Sequence, residues 1–445
     1  MCGILYTSFP LSKDQIKKSE LKVTNRGPDF KSVKSIENQT FCHYLLHITG
    51  KKTPQPLHLK NSTLIYNGEI YNHDIFGNFP SDGFSILEAF DRNGINGIRA
   101  LDGEFSGVIY KENNIFVIRD VFGTKPIFMA KDDRGIAISS YKSQLTSLGF
   151  FNFIDIPVNS ILKINLNDFH IDHHRNKTFD LNQKKTNFDD WNLAFYNSIK
   201  KRTKNNKVKY FIGLSGGYDS GLISAVLNDL SIEYNSYSIV ADENKTVLNQ
   251  RCNLSKNNQL IKLTKQEFFK EKEFLEKFCE PFETPARKTR PLGGYSILKD
   301  KGAIGTGVIC RRANKDGCKV YLSGQGSDEI LSDYGFNGKP APGFLHSTIG
   351  GYFPKNLNSI FPWENFFKGT QEEFLAKDEN VGGTYSIETR YPFLDFDLVQ
   401  EFLWLSNDLK NKNYKSPIFN LLNKLKYPID PNGVNGKVGF RANRF

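Results

Sequence analysis

Two hydrophobic rhythms divide the chain. Over residues 1–175 the apolar positions fall in short β-branched blocks separated by turn residues. Phe105–Lys111 and Ile115–Arg119, joined by Glu112-Asn113-Asn114, predict one hairpin. Ile127–Ala130 and Ile136–Ser139, turned by Asp132-Asp133-Arg134-Gly135, predict a second. Between them in character is a helix over Ser81–Arg92, where Ile86, Leu87 and Phe90 share a face behind the N-cap candidates Ser81 and Asp82. Stacked sheets covered by helices are expected for this half. Residues 176–188 turn polar and charged, as a linker would, so the predicted domains are 1–180 and 190–445. Beyond that stretch strands and helices alternate. Lys207–Leu214 reads as a buried strand, Leu222, Ile223, Val226, Leu227 and Leu230 as one face of a helix, and Tyr234–Val240 as the next strand, which together predict a βαβ unit and a mainly parallel α/β sheet.

Length agrees with this division, since 445 residues exceed what a single core serves. No stretch approaches the ~20 apolar residues of a membrane span, and the N-terminus lacks a basic-then-apolar secretory pattern. The six cysteines, at 2, 42, 252, 279, 310 and 318, form no C-x-x-C pair, which argues against a zinc ribbon or disulfide framework and for a reduced cytoplasm. His43 with His47, and His173 with His174, have no matching Cys or Glu set for a metal. The net charge of +11 comes from lysines scattered along the chain, not from one arm, so nucleic acid is a disfavoured partner.

Candidate chemistry begins at Cys2. Cys is small enough for the initiator Met to be trimmed, which would leave one residue carrying both a thiol and a free α-amine. An α-amine titrates near ~8 and a thiol near ~8.5, so the amine can take the thiol proton and serve as the base of its own nucleophile. A second centre lies in Phe211-Ile212-Gly213-Leu214-Ser215-Gly216-Gly217-Tyr218-Asp219-Ser220, a glycine-rich turn between strand and helix. Backbone N–H groups freed by Gly216 and Gly217, with the hydroxyls of Ser215 and Ser220, can surround a phosphate at the positive end of the helix. Asp219 would be repelled by a bare phosphate and therefore suggests a bridging Mg²⁺. The Gly-Lys-Ser/Thr ending of a Walker loop is missing. A similar cluster, Tyr321-Leu322-Ser323-Gly324-Gln325-Gly326-Ser327-Asp328-Glu329, ends another apolar strand, and two such loops can meet over one nucleotide at the carboxyl edge of a sheet. Asp219 and Asp328 then form a candidate metal pair.

These motifs and others in the same order resemble the glutamine-hydrolysing asparagine synthetases, in which a class II glutamine amidotransferase is joined to an ATP-pyrophosphatase domain, with the β-lactam synthetases as relatives. The resemblance is carried by Met1-Cys2-Gly3-Ile4, Arg26-Gly27-Pro28-Asp29, Gln55-Pro56, Asn67-Gly68-Glu69-Ile70-Tyr71-Asn72, Ser81-Asp82, Leu101-Asp102-Gly103, Arg119-Asp120, Gly123, Lys125-Pro126, both loops, and Glu388-Thr389-Arg390-Tyr391-Pro392-Phe393-Leu394-Asp395. It implies an αββα N-terminal-nucleophile domain followed by an α/β ATP-pyrophosphatase domain. It implies that Cys2 attacks the glutamine amide, that the Asn67 side chain and Gly68 N–H hold the oxyanion, and that Glu69 and Asp82 bind the α-amine, with Tyr44 and Ile48 completing the glutamine pocket. Ammonia would pass inside the protein to the second domain. There Leu214, Ile239, Ser323 and Gly324 would contact ATP, residues 215–220 (Ser215, Gly216, Gly217, Asp219 and Ser220 among them) would hold the pyrophosphate, and Asp219 and Asp328 would bind Mg²⁺. A carboxylate would become an acyl-adenylate and then an amide. Lys437, with Lys415 as its rival, looks like the lysine that neutralises charge in adenylate chemistry, and Glu388 resembles the acid of a catalytic dyad or a buttress acting through Arg390.

Three departures matter. Counting back from Gln55-Pro56, Tyr44 falls where asparagine synthetases carry an Arg for the glutamine carboxylate, so either Arg26 or a nearby Lys compensates or glutamine binds weakly. Gln325 stands where those enzymes have Glu, cannot act as a base, and is assigned to acceptor selection. The chain also ends soon after the Lys437 motif. The expected partners are glutamine, ATP and a carboxylate acceptor, with a homodimer left open. The rival readings are the same chemistry on a non-aspartate acceptor such as a sugar, nucleotide or specialised metabolite, and a binding or regulatory relative with weakened catalysis.

Overall fold

The computed structural model describes residues 1–240, 244–283 and 296–436. Lys437 lies outside them. The chain forms two compact units: Met1–Thr178 with Phe278–Glu280 and Gly382–Glu388, and Phe179–Lys277 with Pro281–Val381 and Thr389–Phe445.

The first unit holds twelve strands among its described residues: β1 Gly3–Thr7, β2 Phe30–Ile36, β3 Gln39–Leu45, β4 Leu57–Leu59, β5 Ser62–Ile70, β6 Gly103–Lys111, β7 Asn114–Arg119, β8 Phe128–Asp132, β9 Gly135–Ser139, β10 Phe153–Ile154, β11 Ser160–Asn165 and β12 Ile171–Arg175. They make two antiparallel six-stranded sheets, ordered β10-β8-β9-β1-β3-β2 and β12-β11-β7-β6-β5-β4. Ile4, Tyr6 and Phe41 from one sheet meet Ile65, Val108 and Val117 from the other in the inner core. Helix Gly83–Asn93 packs Ile86, Leu87 and Phe90 on the outside of the second sheet. Helices Lys13–Ser19 and Lys142–Ser147 place Ile16 and Leu145 on the outside of the first. The result is the helix–sheet–sheet–helix layering the resemblance implied. Both predicted hairpins are present. Glu112 and Asn113 take φ of 49° and 59°, the left-handed pair that matches strand twist in a two-residue turn.

The second unit has β13 Tyr210–Gly213, β14 Tyr234–Ile239, β15 Asn257–Ile261, β16 Val320–Leu322, a hairpin of β17 Gly335–Phe336 and β18 Lys339–Pro340, and all but the first residue of β19 Glu388–Arg390. Its five-stranded sheet is ordered β15-β14-β13-β16-β19, with β13 parallel to both β14 and β16 and β14 parallel to β15. Helix Tyr218–Asp229 joins β13 to β14, so the predicted βαβ unit forms. The polar stretch expected as a linker is docked instead. Asp180 N–H donates to Gln400 Oε1 at 2.9 Å, Trp404 Nε1 donates to Asp180 Oδ2 at 2.8 Å, and Lys184 and Lys185 N–H donate to the Trp404 carbonyl. Its main chain pairs with helix Phe396–Trp404 while side chains such as Lys184 stay in solvent.

Candidate active sites

In the first unit β1 and β5 bring Cys2 and Asn67 together. Cys2 N–H donates to Asn67 Oδ1 at 2.9 Å, and the Cys2 thiol lies 3.9 Å from the Leu46 carbonyl. Asn67 is fully buried, and its Nδ2 has no hydrogen-bond partner among the described residues. A buried amide N–H left unpaired costs free energy unless something arrives to accept from it. Next to it Gly68 sits at φ 142°, where a Cβ would come within 2.0 Å of the Glu104 carbonyl, so only glycine allows β5 this close to β6. Burial pushes the Cys2 thiol up to about 11, opposed by the N-terminal ammonium. A thiol so placed needs an adjacent base to become a nucleophile at neutral pH.

The N-terminal ammonium of Met1 is buried against Glu388, at 3.2 Å from Oε2. Burial lowers its pKa, and the Glu388 carboxylate partly restores it. Glu69 accepts from Thr49 Oγ1 at 3.1 Å through both oxygens. Ile48 is half-buried beside Thr49.

Three expectations about this pocket need correction. Asp82 does not cap its helix through its side chain; its carboxylate accepts from Tyr66 OH at 2.5 Å and Ile70 N–H at 2.8 Å, holding it against β5 beside Asn67 and Glu69. Tyr44 packs with Leu5, Val23 and Tyr141 under the outer helices, and strand alternation turns it away from the inner face that carries Ile4, Tyr6 and Phe41. It does not fill the place of a carboxylate-binding Arg. Arg26 does not compensate either, because its Nε donates to the Cys2 carbonyl at 2.8 Å and its guanidinium packs over the Tyr141 ring at 5.3 Å. Arg26 therefore holds the main chain of Cys2.

In the second unit the glycine-rich loop leaves β13 at Leu214, whose N–H donates to the Tyr237 carbonyl at 2.9 Å. Ser220 Oγ accepts from Ser215 N–H at 3.1 Å, and Ser215 Oγ accepts from Gly217 N–H at 3.1 Å. Leu214 and Ile239 are both buried at the carboxyl ends of β13 and β14. Sequence reading missed Arg251, which is fully buried on helix Lys245–Leu254. Its Nη1 donates to the carbonyls of Ser215 at 2.8 Å and Gly217 at 2.6 Å, and its Nε and Nη2 donate to the Pro428 carbonyl. By holding those carbonyls it fixes the peptide planes of the loop. A Cβ on Gly221 would strike the guanidinium at 2.6 Å, which explains a glycine inside that helix. Nothing in the local pattern around Arg251 marks it; the glycine at 221 is the only sequence signal.

The Ser323 loop abuts this one. A Cβ on Gly324 would lie 2.9 Å from Asp219 Cβ and 3.6 Å from Ser220 N. Lys415, in the left-handed region at φ 46° and with its side chain buried, places Nζ 2.5 Å from Asp219 Oδ1 and 2.8 Å from Asp328 Oδ1. Burial alone would lower its pKa, but the two carboxylates outweigh that and hold the ammonium charged. Asp219 also accepts from Ser327 Oγ at 2.6 Å, and Asp328 from Tyr414 OH at 3.1 Å. Two carboxylates converging on one cation suit Mg²⁺, which takes one or two protein carboxylates and completes its shell with phosphate oxygens and water. No cage of three or more His, Cys, Asp or Glu occurs among the described residues.

The profile of the glutamine amidotransferase domain family matches residues 1–165, and that of asparagine synthase matches residues 190–348. The glutamine-hydrolysing asparagine synthetase of Mus musculus is 24% identical over 469 residues, covering 92% of this chain and 78% of its own. That of Homo sapiens is 24% identical over 466 residues with the same coverage. The chain thus carries a glutamine amidotransferase domain followed by an asparagine synthase domain, and it is similar to glutamine-hydrolysing asparagine synthetases over 92% of its length.

Proposed function

We propose that the protein is an ATP-dependent, glutamine-hydrolysing amide ligase that uses Mg²⁺ and forms AMP and pyrophosphate. The observation that carries the first half is the unpaired Asn67 Nδ2 beside Cys2. Once Met1 is removed, the α-amine takes the Cys2 thiol proton and the sulfur attacks the glutamine side-chain carbonyl. The oxyanion accepts from Asn67 Nδ2 and from the Gly68 N–H. The amide nitrogen takes the proton and leaves as ammonia, and water cleaves the thioester to glutamate.

In the second unit, the loop of residues 215–220 binds the pyrophosphate portion of ATP, with Leu214, Ile239, Ser323 and Gly324 beside the nucleoside. An acceptor carboxylate oxygen attacks the α-phosphorus and pyrophosphate departs. Ammonia then adds to the acyl carbon, and AMP leaves as the amide forms. Held by Asp219 and Asp328, Mg²⁺ would supply charge neutralisation on the phosphates, a task Lys415 shares from the same pocket. Gln325, half-buried on the Ser323 loop, contacts the acceptor and selects it by hydrogen bonding. Cys2→Ala should abolish glutamine hydrolysis while carboxylate-dependent pyrophosphate release continues with an ammonium salt. Loss of both activities in a folded variant would refute the division of labour.

A further inference from the structure

His43 is 0% exposed, and neither of its ring nitrogens has a hydrogen-bond partner among the described residues. Strand β3 carries it directly opposite Ile4 of β1. The Ile4 N–H donates to Ser140 Oγ and its carbonyl accepts from Ser140 N–H, each at 3.0 Å, so the main chain of Ile4 is spent on its other neighbour. Ile4 and His43 therefore form the closer, non-hydrogen-bonded kind of antiparallel pair. Phe41, two residues before His43, lies with Ile4 and Tyr6 in the core between the two sheets, and alternation turns His43 to the same inner side. Cys2 stands two residues before Ile4 on that face, diagonal to His43 at about the 7–8 Å of such neighbours. Asn67 meets Cys2 from the facing sheet, with its Nδ2 also unpaired. An imidazole buried without partners costs free energy that an apolar side chain would not.

We propose that His43 binds the small neutral molecule exchanged at Cys2, the ammonia that leaves the amide and the water that then replaces it. This rests on the reading of Cys2 as the glutaminase nucleophile. The two molecules share one place, because the reverse of ammonia expulsion is attack of ammonia on the thioester, and water attacks the same carbon in the same way. Each donates and accepts hydrogen bonds, which is what a neutral imidazole offers through its N–H and its bare nitrogen. Burial, and after it the N-terminal ammonium, push His43 down to about 3, so at neutral pH the ring is uncharged and leaves ammonia unprotonated. In hydrolysis the water oxygen bonds to the acyl carbon and the C–S bond breaks. One water proton passes to the Cys2 α-amine and from there to the departing sulfur, while the second O–H donates to the bare nitrogen of His43. The products are glutamate and the free thiol, and His43 itself takes no proton.

Two measurements on the whole chain test this. A crystal structure with ordered waters should place one within hydrogen-bond distance of a His43 ring nitrogen, and a dry site there overturns the proposal whether or not the protein hydrolyses glutamine. The second compares water with hydroxylamine as acceptors of the glutamyl group, on chains shown by mass to start at Cys2. His43→Leu removes both ring nitrogens and keeps the core apolar, whereas His43→Gln restores a donor and an acceptor. In folded His43→Leu the glutamyl thioester should build up on Cys2, read by intact mass, while hydroxylamine, a stronger nucleophile than water, still clears it. The ratio of hydroxamate to glutamate should rise at least about fivefold, the worth of one hydrogen bond, and fall back in His43→Gln. An unchanged ratio, whatever happens to the overall rate, means that His43 only packs and overturns the proposal. Should neither variant fold, the wet or dry site in the crystal decides. No glutamate from the unmodified protein refutes the glutaminase reading and with it the exchange at Cys2, and the crystal still decides whether His43 holds a guest.

Discussion

Replacing Asn67 by Ala removes two different things, and the structure separates them. Its Oδ1 anchors Cys2 N–H at 2.9 Å, and its Nδ2 is an unpaired donor in a fully buried position. A donor with no ground-state partner gives its whole hydrogen bond to the developing oxyanion, and losing one such donor costs about 10²–10³ in kcat, or about 2.7–4 kcal/mol. The lost anchor adds about 1 kcal/mol by loosening the nucleophile, roughly another fivefold. Glutamate release by Asn67→Ala should therefore fall by about 10³ in kcat with little change in KM for glutamine, because the missing bond belongs to the transition state. Alkylation of Cys2 by iodoacetamide, which needs no oxyanion donor, should change by no more than about fivefold, reporting the anchor alone. A kcat within about fivefold of the unmodified enzyme would refute the oxyanion assignment.

Arg251→Lys keeps the charge but cannot serve the carbonyls of Ser215, Gly217 and Pro428 together. ATP–pyrophosphate exchange should lose at least about tenfold in kcat/KM for ATP while glutaminase persists, and normal exchange would show that the loop holds itself. Lys415→Met leaves Asp219 and Asp328 facing each other without their cation. The variant should lose about 3–5 kcal/mol in the absence of metal and regain much of it on Mg²⁺ titration, read by thermal melts, and an absent Mg²⁺ response would remove the two acids as metal ligands. Burial and the neighbouring Asp328 raise Glu329 from 4.5 to about 7. The folded state then holds that proton more tightly than the unfolded chain, so its contribution is full below pH ~4.5 and is lost as pH rises through ~7, a swing of at most about 3 kcal/mol. Glu329→Gln should flatten this part of the stability profile, and an unchanged profile would refute the assignment.

Periodicity carried far where the signal is local. The hairpin at Glu112-Asn113, the βαβ unit around Ser215 and the two glycine loops all depend on neighbouring residues, and all form as expected. Tyr44 failed because its place was counted across the loop before Gln55-Pro56. One residue of drift in a strand moves a side chain to the opposite face, and alternation puts Leu45, not Tyr44, on the inner side. Arg251 was invisible for another reason: only tertiary packing shows that its charged group is buried under loops distant in sequence. Asp82 looked like a cap because Asp before a helix usually is one. Here the hydroxyl of Tyr66 and the Ile70 amide compete for the carboxylate and win.

Burial of Met1 against Glu388 sets an order of events in the life of the protein. Met1, whose removal would expose the Cys2 α-amine, is 1% accessible in the fold, and its ammonium is tied to a carboxylate 387 positions away. An aminopeptidase needs an extended, free N-terminus, and the folded unit does not offer one. Trimming, if Cys2 is to act through its α-amine, would have to precede the burial of Met1 against the Gly382–Glu388 segment. If Cys2 acts through its own α-amine, a chain that folds before trimming would keep that amine covered, and activity would then depend on a race between a protease and the completion of the fold.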